Sequence, residues 1–167
     1  EMRGYATMIK VLFICHGNIC RSPMAEFILK DMVQQKGIAD LFLIRSAATS
    51  TEEIWNGIGN SVYPPAREIL RKHGISCEGK RAVQVTKKDY GKYDYILGMD
   101  RRNIRNMLKI FGGDPEGKIR LLLEMTGRSG DIADPWYTGD FQLTYLDIEE
   151  GCKGFLQYLK ENGKING

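Results

Sequence analysis

The sequence predicts an α/β fold built on a parallel sheet, and three observations point to it. Short apolar runs rich in β-branched and aromatic residues recur along the chain, and longer segments with helical periodicity alternate with them. The first of these runs leads, through a tight glycine-containing turn, into a Ser-Pro pair that suits the opening of a helix. Alternation of this kind implies parallel strands joined by right-handed helical crossovers, with ligands bound at the carboxyl ends of the strands.

Taken in order, the first strand is expected over 9–14, where Ile9, Val11, Leu12, Phe13 and Ile14 read as a strand buried on both faces. A helix is expected over 22–36, a strand over 41–45 and a helix over 60–73, carried by the stripe Ala66, Ile69, Leu70, His73. A short helix over 87–91, a strand over 94–98 and a helix over 100–110 follow. The last elements are a strand over 118–122 and a helix over 141–161, whose stripe Tyr145, Ile148, Cys152, Phe155, Leu156, Leu159 places Cys152 in the core. The chain of 167 residues, 43% hydrophobic and 27% charged, fits one domain, expected over 8–162 after a flexible extension at 1–7.

Composition excludes several classes of partner. A net charge of +3 is mild, and its densest cluster, Arg101, Arg102 and Arg105, reads as a solvated helix face rather than a nucleic-acid surface. No stretch approaches the roughly 18 apolar residues of a membrane helix, and Met8 to Ile14 is too short for a signal-peptide core. Cysteines 15, 20, 77 and 152, with two histidines, show no metal-binding spacing, so neither metal nor other cofactor is expected.

The chemistry concentrates in CHGNICRS, Cys15 to Ser22. At a strand-to-helix turn, backbone N–H groups and the positive end of the following helix form a site for a tetrahedral dianion, and the same field favours a thiolate at Cys15. Arg21 can present its planar fork to two oxygens of that dianion. Gly17 allows close backbone approach or a positive φ, and Asn18 tolerates the left-handed region while offering side-chain hydrogen bonds. Ser22 can donate its hydroxyl to the sulfur. A bare Cys-x5-Arg spacing arises easily by chance; the strand, the glycine, the serine and the early proline together make it a site.

VLFICHGNICRSPMAE, Val11 to Glu26, resembles the signature of the low-molecular-weight protein tyrosine phosphatases. Further segments agree: AREILRKHGI from Ala66, VTKKDY from Val85, YDYILGMD from Tyr93, and the Asp134-Pro135-Trp136-Tyr137 element. The resemblance covers the chain from about Ile9 to Leu159. It implies a doubly wound four-stranded parallel sheet of order 2-1-3-4, flanked by helices as three α/β/α layers. It also implies hydrolysis of phosphotyrosine through a phosphocysteine, with Cys15 as nucleophile, Arg21 as phosphate clamp and Asp134 as general acid and base. The phosphate-binding loop would comprise His16, Gly17, Asn18, Ile19, Cys20 and Ser22.

An Asp-Pro pair alone reads as a turn, and Asp131 is the nearest competitor for the acid; it lacks the following proline. Trp55, Trp136 and Tyr137 are the expected rim of a slot deep enough to select phosphotyrosine, although any one of them also suits ordinary packing. Trp136 stands where the family often has tyrosine. By periodicity His73 faces the core, and the resemblance assigns it the task of bracing the loop through Asn18. Ser46 matches a family serine that bonds near the same loop, against a plain turn cap. Asp100, after the third strand, reads as a helix cap in preference to a member of the site. Cys20 is either a small buried filler or a partner for reversible disulfide formation with an oxidised Cys15.

Two other functions compete. Arsenate reductases on this fold need extra cysteines around the third strand, and 94–111 contains none. A binding-only module would have lost the nucleophile or the acid, and Cys15, Arg21 and Asp134 are all present. The expected partners are tyrosine-phosphorylated proteins, with inorganic phosphate or other oxyanions as inhibitors, acting on a cytoplasmic monomer.

Overall fold

The computed structural model describes residues 8–166, so the expectation for the first seven residues lies outside it. Strand β1 (Ile9–Cys15) is the centre of a four-stranded parallel sheet. Its neighbours are β2 (Phe42–Ala48), pairing Ile9 with Phe42 through Cys15 with Ala48, and β5 (Tyr95–Gly98), pairing Val11 with Tyr95. The edge strand β6 (Ile119–Leu121) pairs with β5. Counted within this sheet the order is 2-1-3-4, as the resemblance implied.

The continuous apolar run of β1 is explained by two cores. Val11, Phe13 and Cys15 face one side with α1 (Arg21–Gln35), α2 (Pro64–Lys72) and α6 (Phe141–Glu161). Leu12 and Ile14 face the other side with Met107 and Phe111 of α4 (Arg101–Phe111), near the short α3 (Asp89–Lys92). Alternate side chains therefore bury on opposite faces, and neither face tolerates a polar residue. Gly98, at the end of β5, admits α4 closely: a Cβ there would lie 3.0 Å from Ile104 and Met107.

Strand β2 runs on to Ala48, past the expected end at 45; two further bounds and one added element differ from expectation, each for a local reason. Helix α2 begins at Pro64, because two successive prolines cannot lie inside a helix that started at 60. Strand β6 stops at Leu121, where a 3-10 turn over Leu122–Thr126 drives Leu122 and Leu123 into the core. A small hairpin, β3 (Ile54–Trp55) with β4 (Ile58–Gly59), was not foreseen. Its signal was present: Asn56 and Gly57 both have positive φ, 51° and 76°, the requirement of a two-residue hairpin turn. Helix α5 (Pro135–Thr138) is a single turn capped by Asp134.

Candidate active site

The turn after β1 curls around the Cys15 sulfur. Asn18 carries the unusual backbone, φ 60°, and this aims its N–H at Sγ from 3.3 Å. The Ser22 N–H reaches the same sulfur at 3.4 Å, and the Ser22 hydroxyl lies 2.9 Å from it. Gly17 keeps a negative φ; its lack of a side chain instead makes room for Glu53, whose Cγ would lie 3.2 Å from a Cβ there. Arg21 opens α1, whose first-turn N–H groups add to the positive potential at the sulfur.

Arg21 is 3% exposed and tied on several sides. Its Nη1 donates to Asp100 Oδ2 at 2.7 Å and to the Ile132 carbonyl at 2.9 Å, while Nη2 lies 3.5 Å from Asp134 Oδ2. Burial works against its charge, but Cys15, Asp100 and Asp134 outweigh that, holding its pKa above the ordinary arginine value. Asp100 thus has two roles. It caps α4 by accepting the Asn103 N–H at 2.7 Å, as its position after a strand suggested, and it also anchors the arginine. The second role was missed, because nothing local in the sequence pairs residues 21 and 100.

Asp134 lines the same pocket and takes the Trp136 N–H on Oδ1 at 3.0 Å. Trp136 and Tyr137 line the mouth, and Trp136 is also packed, its ring 4.8 Å from that of Tyr63. Asp131 is not in the pocket; it accepts the Arg101 N–H at the start of α4. Trp55 is 79% exposed at the hairpin and lies outside the pocket lining. From its loop the wall receives Glu52 and Glu53 instead, since the hairpin carries Trp55 past the rim. Glu52 Oε2 meets His16 Nε2 at 2.9 Å, and the His16 carbonyl accepts the Ser50 N–H and hydroxyl, so this loop is fastened to the cradle.

Behind the cradle, Asn18 donates through Nδ2 to Ser22 Oγ at 2.8 Å and to Ser46 Oγ at 3.0 Å, and accepts the Val83 N–H on Oδ1 at 3.1 Å. His73 takes no part. It is exposed at the end of α2, with its ring stacked 3.9 Å from Tyr145 and Nδ1 against the Ile69 carbonyl. The physical reason is that α2 stops at Lys72, so His73 is its C-cap at the exposed end of the stripe, packed over Tyr145 rather than reaching Asn18. Cys20, on the loop's inner side, is buried, and desolvation with the nearby Cys15 pushes its thiol pKa well above the ordinary range. Among the described residues no group of three or more His, Cys, Asp or Glu side chains is placed to hold a metal. Nor is any helix there long and apolar enough to cross a membrane.

A family model described as low molecular weight phosphotyrosine protein phosphatase matches residues 10–165. The chain belongs to that family. Among its members, the low molecular weight protein-tyrosine-phosphatase YfkJ of Bacillus subtilis is 38% identical over 160 residues, spanning 95% of this chain and all of the relative. The crystal structure of YfkJ superposes with a TM-score of 0.88, covering 95% and 99% of the two chains. The Sus scrofa low molecular weight phosphotyrosine protein phosphatase is 37% identical over 157 residues, 90% of this chain and 95% of the relative. A Drosophila protein described as an arginine phosphatase has the same fold, with a TM-score of 0.80 at 33% identity over 91% of this chain and 98% of that one. Low-molecular-weight phosphatase is therefore the family identity of this chain.

Proposed function

We propose that the protein hydrolyses phosphotyrosine on protein substrates through a phosphocysteine. The observation that carries this reading is the convergence on one sulfur of two backbone N–H groups and a hydroxyl, beside a buried arginine and a carboxyl group. In the first step Cys15 Sγ attacks phosphorus in line with the leaving phenolic oxygen. The S–P bond forms as the P–O bond breaks, and Asp134 gives its proton to that oxygen. Arg21 and the loop amides stabilise the three equatorial oxygens, supplying positive charge that a metal ion provides in other phosphoryl transfers.

In the second step Asp134, now a carboxylate, takes a proton from water as the water oxygen attacks phosphorus. Sγ departs as thiolate, accepting the hydrogen bond of Ser22. Inorganic phosphate, the product, competes for the same cradle, as other tetrahedral oxyanions would. Ile19, Trp136 and Tyr137 offer apolar walls for an aryl ring. A thiolate nucleophile suits the reducing cytoplasm, where oxidation does not silence it.

The test is a Cys15→Ser protein assayed on a tyrosine-phosphorylated peptide and, in parallel, on a phosphoarginine peptide. Turnover is expected to vanish while phosphate binding stays measurable, and the unsubstituted enzyme should favour phosphotyrosine. Retained turnover by Cys15→Ser, or a preference for phosphoarginine, overturns the reading.

A further inference from the structure

Glu26 is a buried carboxylate that the chemistry above does not use. It sits on α1, 3% exposed, with Oε2 receiving Lys30 Nζ at 2.6 Å and Oε1 receiving the Ser46 hydroxyl at 2.6 Å. Lys80, itself 11% exposed, places Nζ 3.8 Å from Oε1 and donates to the Ser46 carbonyl at 3.0 Å.

A carboxylate held by two ammonium groups can only accept, so the Ser46 proton is committed to Glu26. Ser46 Oγ must then accept from Asn18 Nδ2. The Asn18 amide cannot be turned over, because its other end faces the Val83 N–H, which only donates. Its two Nδ2 protons are therefore divided between Ser46 Oγ and Ser22 Oγ. Ser22 Oγ, an acceptor toward Asn18, has its own proton left, and Cys15 Sγ lies 2.9 Å away. Asn18, Ser22 and Ser46 are at most 2% exposed, so no solvent is at hand to offer another arrangement.

We propose that Glu26, ion-paired with Lys30 and Lys80, is a positioning residue: it sets the direction of the chain Glu26–Ser46–Asn18–Ser22–Cys15, so that Ser22 donates to the attacking and leaving sulfur. This rests on Cys15 being the nucleophile. A purely electrostatic role for Glu26 has the opposite consequence. Removing a nearby negative charge would favour the thiolate, whereas losing the fixed direction weakens the Ser22 donation and disfavours it.

The test separates these by keeping the charge of the cluster constant. Glu26→Met combined with Lys80→Met removes one charge of each sign, and replacing both members of a buried pair by apolar groups usually preserves folding. Ser46→Ala breaks the same chain without altering charge. The other ionisable groups that line the pocket with Cys15, namely His16, Cys20, Arg21, Glu52, Glu53 and Asp134, are untouched in both variants. In both, iodoacetate alkylation of Cys15 at about pH 6 is expected to slow about tenfold, with its pH profile displaced upward. The rate constant kcat should fall with KM little changed. An unchanged or downward-displaced profile in both variants overturns the relay while leaving the phosphocysteine reading intact. Turnover by Cys15→Ser overturns that reading itself.

Discussion

At the scale of single residues, the site depends on a few polar atoms whose partners are fixed by burial. Asp134 is held by the Trp136 N–H and faces Arg21, so Asp134→Asn keeps the cap but removes both the transferable proton and the carboxylate oxygen that meets Arg21 Nη2. For an aryl phosphate with a poor leaving group, kcat should drop by roughly 10² to 10⁴, and the loss should shrink as the leaving group becomes more acidic. An unchanged rate would remove Asp134 as the acid. Asp100→Asn tests the arginine anchor. An asparagine can still cap Asn103 through Oδ1, but its Nδ2 then meets Arg21 Nη1 as a second donor, so the bond to Arg21 is lost and kcat/KM should fall about tenfold. Equal kinetics would show that Ile132 and Asp134 suffice to hold Arg21. Cys15, Arg21, Asn18 and Ser22 could be singled out in the sequence because they lie in one uninterrupted turn. Asp100, Glu26 and Lys80 could not, since their partners are distant in the chain and only folding brings them together.

At the scale of elements, the hairpin and the segment after α2 brace the cradle from outside. Gly59 of β4 lies so close to residue 82 that a Cβ would come 1.9 Å from the Ala82 carbonyl oxygen. Its neighbour Val83 supplies the N–H that orients Asn18. Gly59→Ala should therefore cost about 1–3 kcal/mol through overpacking. It should also lower kcat by loosening Asn18, read as a reduced melting temperature together with slower turnover. Normal stability would show that the hairpin moves away freely. The long elements were legible because burial on one or both faces imposes a period on the sequence. Strand β1 and helix α6 fall where that period puts them, the helix at 141–161 as read. The hairpin has too few residues to show a period, and its Asn-Gly turn was the one usable mark. His73 shows the opposite failure, a stripe read one residue past the point where the helix stops.

At the scale of the whole molecule, two buried thiols link stability to alkaline pH. Burial pushes the Cys20 and Cys152 thiols well above the ordinary 9.0, so in the folded protein they stay protonated where the unfolded chain ionises. Their contribution is fully present below about pH 9 and is lost as pH rises from there, at up to about 1.4 kcal/mol per pH unit for each. Tyr145, pushed up to about 12 by burial, adds to the slope above its ordinary 10.0. Urea unfolding between about pH 7 and 10.5 should show the midpoint falling above 9, and Cys152→Ala should flatten that fall. A flat profile in the unsubstituted protein would contradict it. By itself, the sequence determined the α/β class, the strand-to-helix turn at Cys15 and the residues within that turn, because each is written in a local pattern of apolar period and turn chemistry. Only the tertiary structure decided what holds Arg21, which carboxylates wall the pocket and in which direction Ser22 donates. Those depend on contacts between segments far apart in the chain, where burial removes water and leaves each donor a single acceptor.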